Sequence, residues 1–137
     1  MTHVLIVVAD FYPDIGAALV KGAAAALAKA GATFEEISVP GAFEIPAAIG
    51  FALHNEKYDG FIALGCVIRG ETSHYDYVCG ESARGLMDLA LGGAAIGYGI
   101  LTVENEAQAT ARLDKGADAA AACLRMIELE RRFDATS

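Results

Sequence analysis

The stretch from Gly65 to Val78, Gly-Cys-Val-Ile-Arg-Gly-Glu-Thr-Ser-His-Tyr-Asp-Tyr-Val, carries the densest chemistry in the chain. An apolar run, Gly60 to Leu64, precedes it and reads as a buried strand. Gly65 and Gly70 bracket a loop, and a helical pattern begins near His74. A strand, a glycine-bearing turn and a helix N-terminus, in that order, aim free backbone N–H groups and the positive end of a helix dipole outward. That combination suits an anion. Thr72 and Ser73 are cap residues for the helix, and His74 is of the type that exchanges protons near neutral pH. The same residues also describe a plain capped helix with a solvated histidine. Arg69 reads either as the anion's cation or as half of a structural ion pair. Asp76 either orients the imidazole or faces water. Cys66 has no histidine beside it in a nucleophile-like pattern, so packing is its expected role.

Three other junctions offer candidates. Phe11 follows the first apolar run and is either a stacking platform for a flat ring or a seal on the core. Glu44 opens a helix, where a carboxylate complements the dipole with or without a ligand. Arg112 closes a short helix, where a cation is favourable for the same reason.

The elements that must position these residues alternate along the chain. His3 to Ala9 is a continuous apolar run and reads as a central parallel strand. Pro13 and Asp14 start a helix whose apolar stripe runs from Ile15 to Ala30, and Gly31 ends it. Thr33 to Val39 is the second strand, and Pro46 fits the first turn of a helix lasting to about His54. The helix from about His74 to Leu91 stops at Gly92-Gly93. Ala94 to Leu101 is the fourth strand, followed by a short helix over about Asn105 to Arg112 and a long one over about Lys115 to Phe133. This order predicts an α/β fold, a three-layer α-β-α sandwich on a four-stranded parallel sheet, flavodoxin-like, as one domain over residues 1–137. Ligands in such folds bind beyond the carboxyl ends of the strands. The four strand-to-helix loops are therefore expected to converge there.

Composition narrows the classes. Hydrophobic residues make up 55% and charged residues 20% of 137, a globular balance. The net charge of −8 argues against nucleic acid and anionic membranes as partners. No apolar run approaches the ~18–20 residues of a membrane span. Nor is there a basic start followed by an apolar signal segment, so a cytoplasmic chain is expected. Cys66, Cys79 and Cys123 have no metal-like spacing and are expected to be reduced.

Three long blocks carry a family resemblance: Val39-Pro-Gly-Ala-Phe-Glu-Ile-Pro46, the Gly65–Val78 stretch, and Gly99-Ile-Leu-Thr-Val-Glu-Asn-Glu-Ala-Gln-Ala109. In order and spacing they resemble the 6,7-dimethyl-8-ribityllumazine synthases, and the likeness covers nearly the whole chain. The resemblance implies condensation of 5-amino-6-(D-ribitylamino)uracil with 3,4-dihydroxy-2-butanone 4-phosphate, releasing phosphate and water, in riboflavin biosynthesis. It implies no metal and no organic cofactor.

By position, the resemblance puts Phe11 on the pyrimidine ring and Ala42, Phe43 and Glu44 on the ribityl chain. The backbone of Cys66, Val67 and Ile68 would read the polar edge of the ring. Glu71 and Thr72 would offer N–H groups to phosphate, Arg112 would bind phosphate, and Tyr98 would cover the ring. His74 would be the proton-transfer residue. Family members are homopentamers with active sites between subunits, some building larger shells, so Tyr98 and Arg112 are expected to serve a neighbour's site. A short N-terminus and an altered loop between the last two helices favour an isolated pentamer. The chain departs from the family pattern at Tyr98, usually Phe; at Glu71, usually small; and in the shortened connection Arg112-Leu-Asp-Lys115-Gly116. Two readings compete: a close relative that handles a different sugar phosphate or pyrimidine, and a non-catalytic lumazine- or flavin-binding relative on the same fold.

Overall fold

The computed structural model describes residues 1–134. Four strands form one parallel sheet: β1 (His3–Ala9), β2 (Thr33–Val39), β3 (Gly60–Ile68) and β4 (Ile96–Val103). Between them run α1 (Pro13–Lys29), α2 (Ile45–Leu53) and α3 (His74–Leu91), and β4 is followed by α4 (Glu106–Thr110) and α5 (Lys115–Asp134). The strand order is β2-β1-β3-β4, so the chain leaves β1 in one direction for β2 and returns on the other side as β3. That reversal opens a crevice between the carboxyl ends of β1 and β3.

The continuous apolar runs split their side chains between two layers, as the period of a strand requires. Val4, Ile6 and Val8 of β1 face the layer of α1 and α5, with Ile62 and Leu64 of β3 beside them. Leu5, Val7, Phe61 and Ala63 face the other way, against Ile45 and Ile49 of α2 and Leu86 of α3. Phe61, Leu5, Leu19 and Leu27 are among the largest fully buried side chains. Burying each is worth ~1.5–3 kcal/mol.

Helix α1 stops where expected, and Gly31 just beyond takes φ of +78°. Two other glycines are set by close approach. A Cβ on Gly97 would collide with the Ala119 carbonyl of α5, and one on Gly116 with the Leu19 carbonyl of α1. These two contacts let α5 lie against both β4 and α1.

Two strand boundaries differ from the sequence expectation. Strand β3 continues past Leu64 to Ile68, because Cys66, Val67 and Ile68 pair with Leu101, Thr102 and Val103. Correspondingly, β4 is shifted to Ile96–Val103. Glycine at position 65 suggested a turn, and the partner strand overrides that local preference. No helix among the described residues is long and apolar enough to cross a membrane.

Candidate active site

The longer β3 shapes the site. On its β1 side, pairing ends at Val8↔Leu64, because β1 stops at Ala9. On its β4 side, pairing runs on to Ile68↔Val103. The free edge of Cys66–Ile68 therefore presents backbone donors and acceptors without a strand partner to the crevice at the switch point.

A cavity of about 550 Å³ fills that crevice. After β1 it is lined by Phe11 and Tyr12; after β2 by Pro40, Gly41, Ala42, Phe43 and Glu44. Cys66, Val67 and Ile68 form its floor, and Gly70, Thr72, His74, Tyr75 and Val78 close the side made by the next loop and α3. Of the expected site residues, Phe11, Ala42, Phe43, Glu44, Cys66, Val67, Ile68, Thr72 and His74 thus meet at one place. Glu71 is exposed and lies between two lining residues, with its own side chain outside the wall.

Tyr98 and Arg112 lie outside this cavity. Tyr98 is on the edge strand β4, where burial pushes its phenol up, helped by Cys79 and Tyr75. Arg112 follows α4 and turns back on that helix, its Nη1 donating to the Gln108 carbonyl at 2.8 Å. The loop after β4 reaches the same end of the sheet yet supplies no wall, contrary to the expected convergence of all four loops. Its Glu104 is engaged instead by Arg69, whose Nε lies 2.9 Å away. Arg69 is thus an ion-pair residue, and Asp76 joins the same pair at 3.4 Å and leaves the imidazole unsupported.

Local geometry explains the polar groups. Phe11 is 69% exposed, an unusual state for so large an apolar ring, and stands edge-on to Tyr12 at 5.0 Å. Three residues after β2, Ala42–Glu44, make a 3-10 turn that leads directly into α2 and sets Glu44 at the rim. The Thr72 hydroxyl accepts the His74 N–H at 3.3 Å, whereas Ser73 makes no capping hydrogen bond. Among the described residues, no acceptor takes the N–H groups of Gly70, Glu71, Thr72 or Ser73. These residues lead directly into the positive end of α3. Burial pushes the Cys66 thiol up to about 11, so it enters the cavity as a neutral group. Burial also raises Tyr12, followed in effect by Cys66 and Glu106.

Tyr12, Tyr75 and Val78 line the cavity without having been singled out in the sequence. The available signal was adjacency: Tyr12 follows Phe11, and Tyr75 and Val78 lie one and four residues beyond His74 on the same helix. Among the described residues, no group of three or more His, Cys, Asp or Glu side chains could hold a metal ion.

A parallel α/β sheet with an aromatic-walled cavity at its switch point defines an enzyme-like site. Comparison with known proteins narrows that class. The family model for 6,7-dimethyl-8-ribityllumazine synthase matches residues 1–131. A protein of that name from Novosphingobium aromaticivorans is 54% identical over 138 residues, covering 97% of this chain and 99% of the relative. One from Bartonella tribocorum is 57% identical over 138 residues, covering 96% and 91%. From Rhizobium meliloti, 6,7-dimethyl-8-ribityllumazine synthase 1 is 56% identical over 144 residues, covering 97% and 94%. The chain belongs to the 6,7-dimethyl-8-ribityllumazine synthase family.

Proposed function

We infer that this chain is a transferase that condenses 5-amino-6-(D-ribitylamino)uracil with 3,4-dihydroxy-2-butanone 4-phosphate to give 6,7-dimethyl-8-ribityllumazine, phosphate and water. The observation that carries the reading is the meeting, in one cavity, of an exposed ring (Phe11), a rim carboxylate (Glu44), a free strand edge (Cys66–Ile68) and an imidazole beside four unengaged N–H donors.

Each part answers a need of the reaction. Phe11 stacks on the pyrimidine, and the backbone edge of Cys66–Ile68 exchanges hydrogen bonds with its amide-like face. Ala42 and Phe43 bound the ribityl chain while Glu44 accepts from its hydroxyls. The N–H groups of Glu71 and Thr72 hold the phosphate at the start of α3. An amine then attacks the ketone, and a first water leaves as the imine forms. Phosphate is eliminated, and ring closure by the second amine on the remaining carbonyl expels a second water. Every step moves a proton, and His74, at the cavity wall, is the group that takes and returns it in this reading. Holding two substrates together supplies much of the remaining rate.

Tyr98 and Arg112 belong to this machinery only if a second copy brings them. The proposed assembly is a homopentamer in which each chain lends a ring and a guanidinium to the adjacent cavity. The test is absorbance at the lumazine chromophore with purified protein and both substrates. A rate well above the uncatalysed condensation, lost when the phosphate-bearing substrate is omitted, is expected. Tight binding of lumazine with only the background rate would replace the synthase by a binding protein.

A further inference from the structure

Arg69 follows the last residue of β3, and its side chain touches two other segments of the chain. Its Nε lies 3.1 and 2.9 Å from the two carboxylate oxygens of Glu104, beyond β4. Its Nη1 lies 3.4 Å from Asp76 Oδ1 in the first turn of α3, and the guanidinium sits 4.2 Å from the centre of the Tyr75 ring. Its backbone N–H is tied to the Val103 carbonyl at 2.9 Å. One cation between two carboxylates leaves this cluster net negative, a poor place for a substrate anion.

The residues it holds are the two that follow His74. Among the described residues, the His74 ring makes no hydrogen bond, and the backbone N–H to Thr72 is its one tie outside the helix ladder. An imidazole without a ring partner takes its place from the turn that carries it. Whatever fixes Tyr75 and Asp76 therefore fixes His74. The Glu104 end of the clamp is itself braced, its N–H donating to Gln108 Oε1 at 2.7 Å.

We propose that Arg69 is a positioning residue for the condensation: it pins the first turn of α3 to the loop after β4 and so sets where His74 meets the substrate. The role rests on the synthase reading given above. The ion pairs are exposed and add little to global stability, whereas an error of about 1 Å at a reacting group can cost ~10²-fold in rate. Removing the side chain should therefore spare the fold and slow the reaction.

The experiment compares Arg69→Met, Arg69→Lys, His74→Ala and the Arg69→Met/His74→Ala double variant in the full-length protein. Arg69→Met should lower kcat at least ~10-fold with KM for either substrate within ~3-fold, and with the melting temperature within a few degrees. Arg69→Lys should recover little, since an ammonium cannot span Glu104 and Asp76 while covering the Tyr75 ring. The double variant should be no slower than His74→Ala alone. Losses that multiply in the double variant, or an Arg69→Met protein as fast as the wild type, would overturn the role. The ring-proton NMR signals of His74, assigned by their absence from His74→Ala, give a readout independent of turnover. They should shift or broaden in Arg69→Met, and unchanged signals would overturn the clamp. A wild type that makes no product refutes the synthase reading, and the NMR comparison still decides whether Arg69 places the imidazole.

Discussion

The two ends of the sheet each hold a histidine in contact with a threonine, and the two are used in opposite ways. At the amino end, His3 Nδ1 lies 2.7 Å from Thr33 Oγ1 and Nε2 lies 2.7 Å from Glu35 Oε2. The ring also stacks on Tyr58 at 5.4 Å, and the His3 backbone N–H reaches Asp59 at 2.7 Å. Glu35 takes Lys57 as well, at 2.8 Å. Every polar atom of that imidazole is spoken for. At the carboxyl end, the Thr72 hydroxyl meets the His74 backbone, and the ring is left open to a cavity. A histidine whose two nitrogens are satisfied is a fastener. One with both nitrogens free beside a cavity is available for proton transfer.

The sharpest way to break this contrast is to delete both rings in turn. His74→Ala should slow turnover about 10²-fold without abolishing it, since substrate juxtaposition remains, and should leave the melting temperature nearly unchanged. Turnover equal to wild type would remove the assigned role. His3→Ala should do the reverse. Turnover stays within ~2-fold, while lost hydrogen bonds worth about 1 kcal/mol lower the melting temperature by roughly 3–5 °C. A His3 variant that is stable but slow would mean the two ends are coupled.

A smaller effect separates the fastener by pH. Lys57, then His3, holds the Glu35 carboxylate at about 2, well below its ordinary value. A depressed carboxylate stabilises the fold above its unfolded pKa of ~4.3, and the contribution fades as pH falls through the folded value. Glu35→Gln should therefore melt about 1–3 °C below wild type at pH 7, with the gap closing between pH ~4.5 and 2. A gap that persists at pH 2 would assign the effect to something other than ionised Glu35. The smallest expected change is chemical. Burial raises all three thiols, Cys66 to about 11 and Cys123 to about 12, but only Cys79 is partly open to solvent, so brief alkylation at pH 8 should modify it first. Rapid loss of the Cys66 thiol, read by mass spectrometry, would give the cavity a nucleophile that its geometry does not support.

The same contrast explains what could be read from the sequence. The cavity was legible because its walls come from short continuous stretches, each following a strand: Phe11, Pro40–Glu44 and Cys66–His74. The fastener was not, because its members lie 30, 32 and 56 residues from His3. Arg69 shows both sides of the limit. Its place in the loop was plain, but its use depended on Glu104, 35 residues away. The extra length of β3 was missed for a like reason, since Gly65 signals a turn until Ile100 is known to lie beside it.

The seat of Gly116 on the Leu19 carbonyl has a consequence for how the chain reaches this state. It joins the first helix to the last, and Arg131, near the end of α5, also reaches back to Thr2 at 2.9 Å and Asp59 at 3.4 Å. One face of the sheet therefore stays half-covered until α5 has left the ribosome. Contacts so distant in sequence close slowly, and the uncovered apolar face of β3 and β4 is the surface through which nascent chains would aggregate.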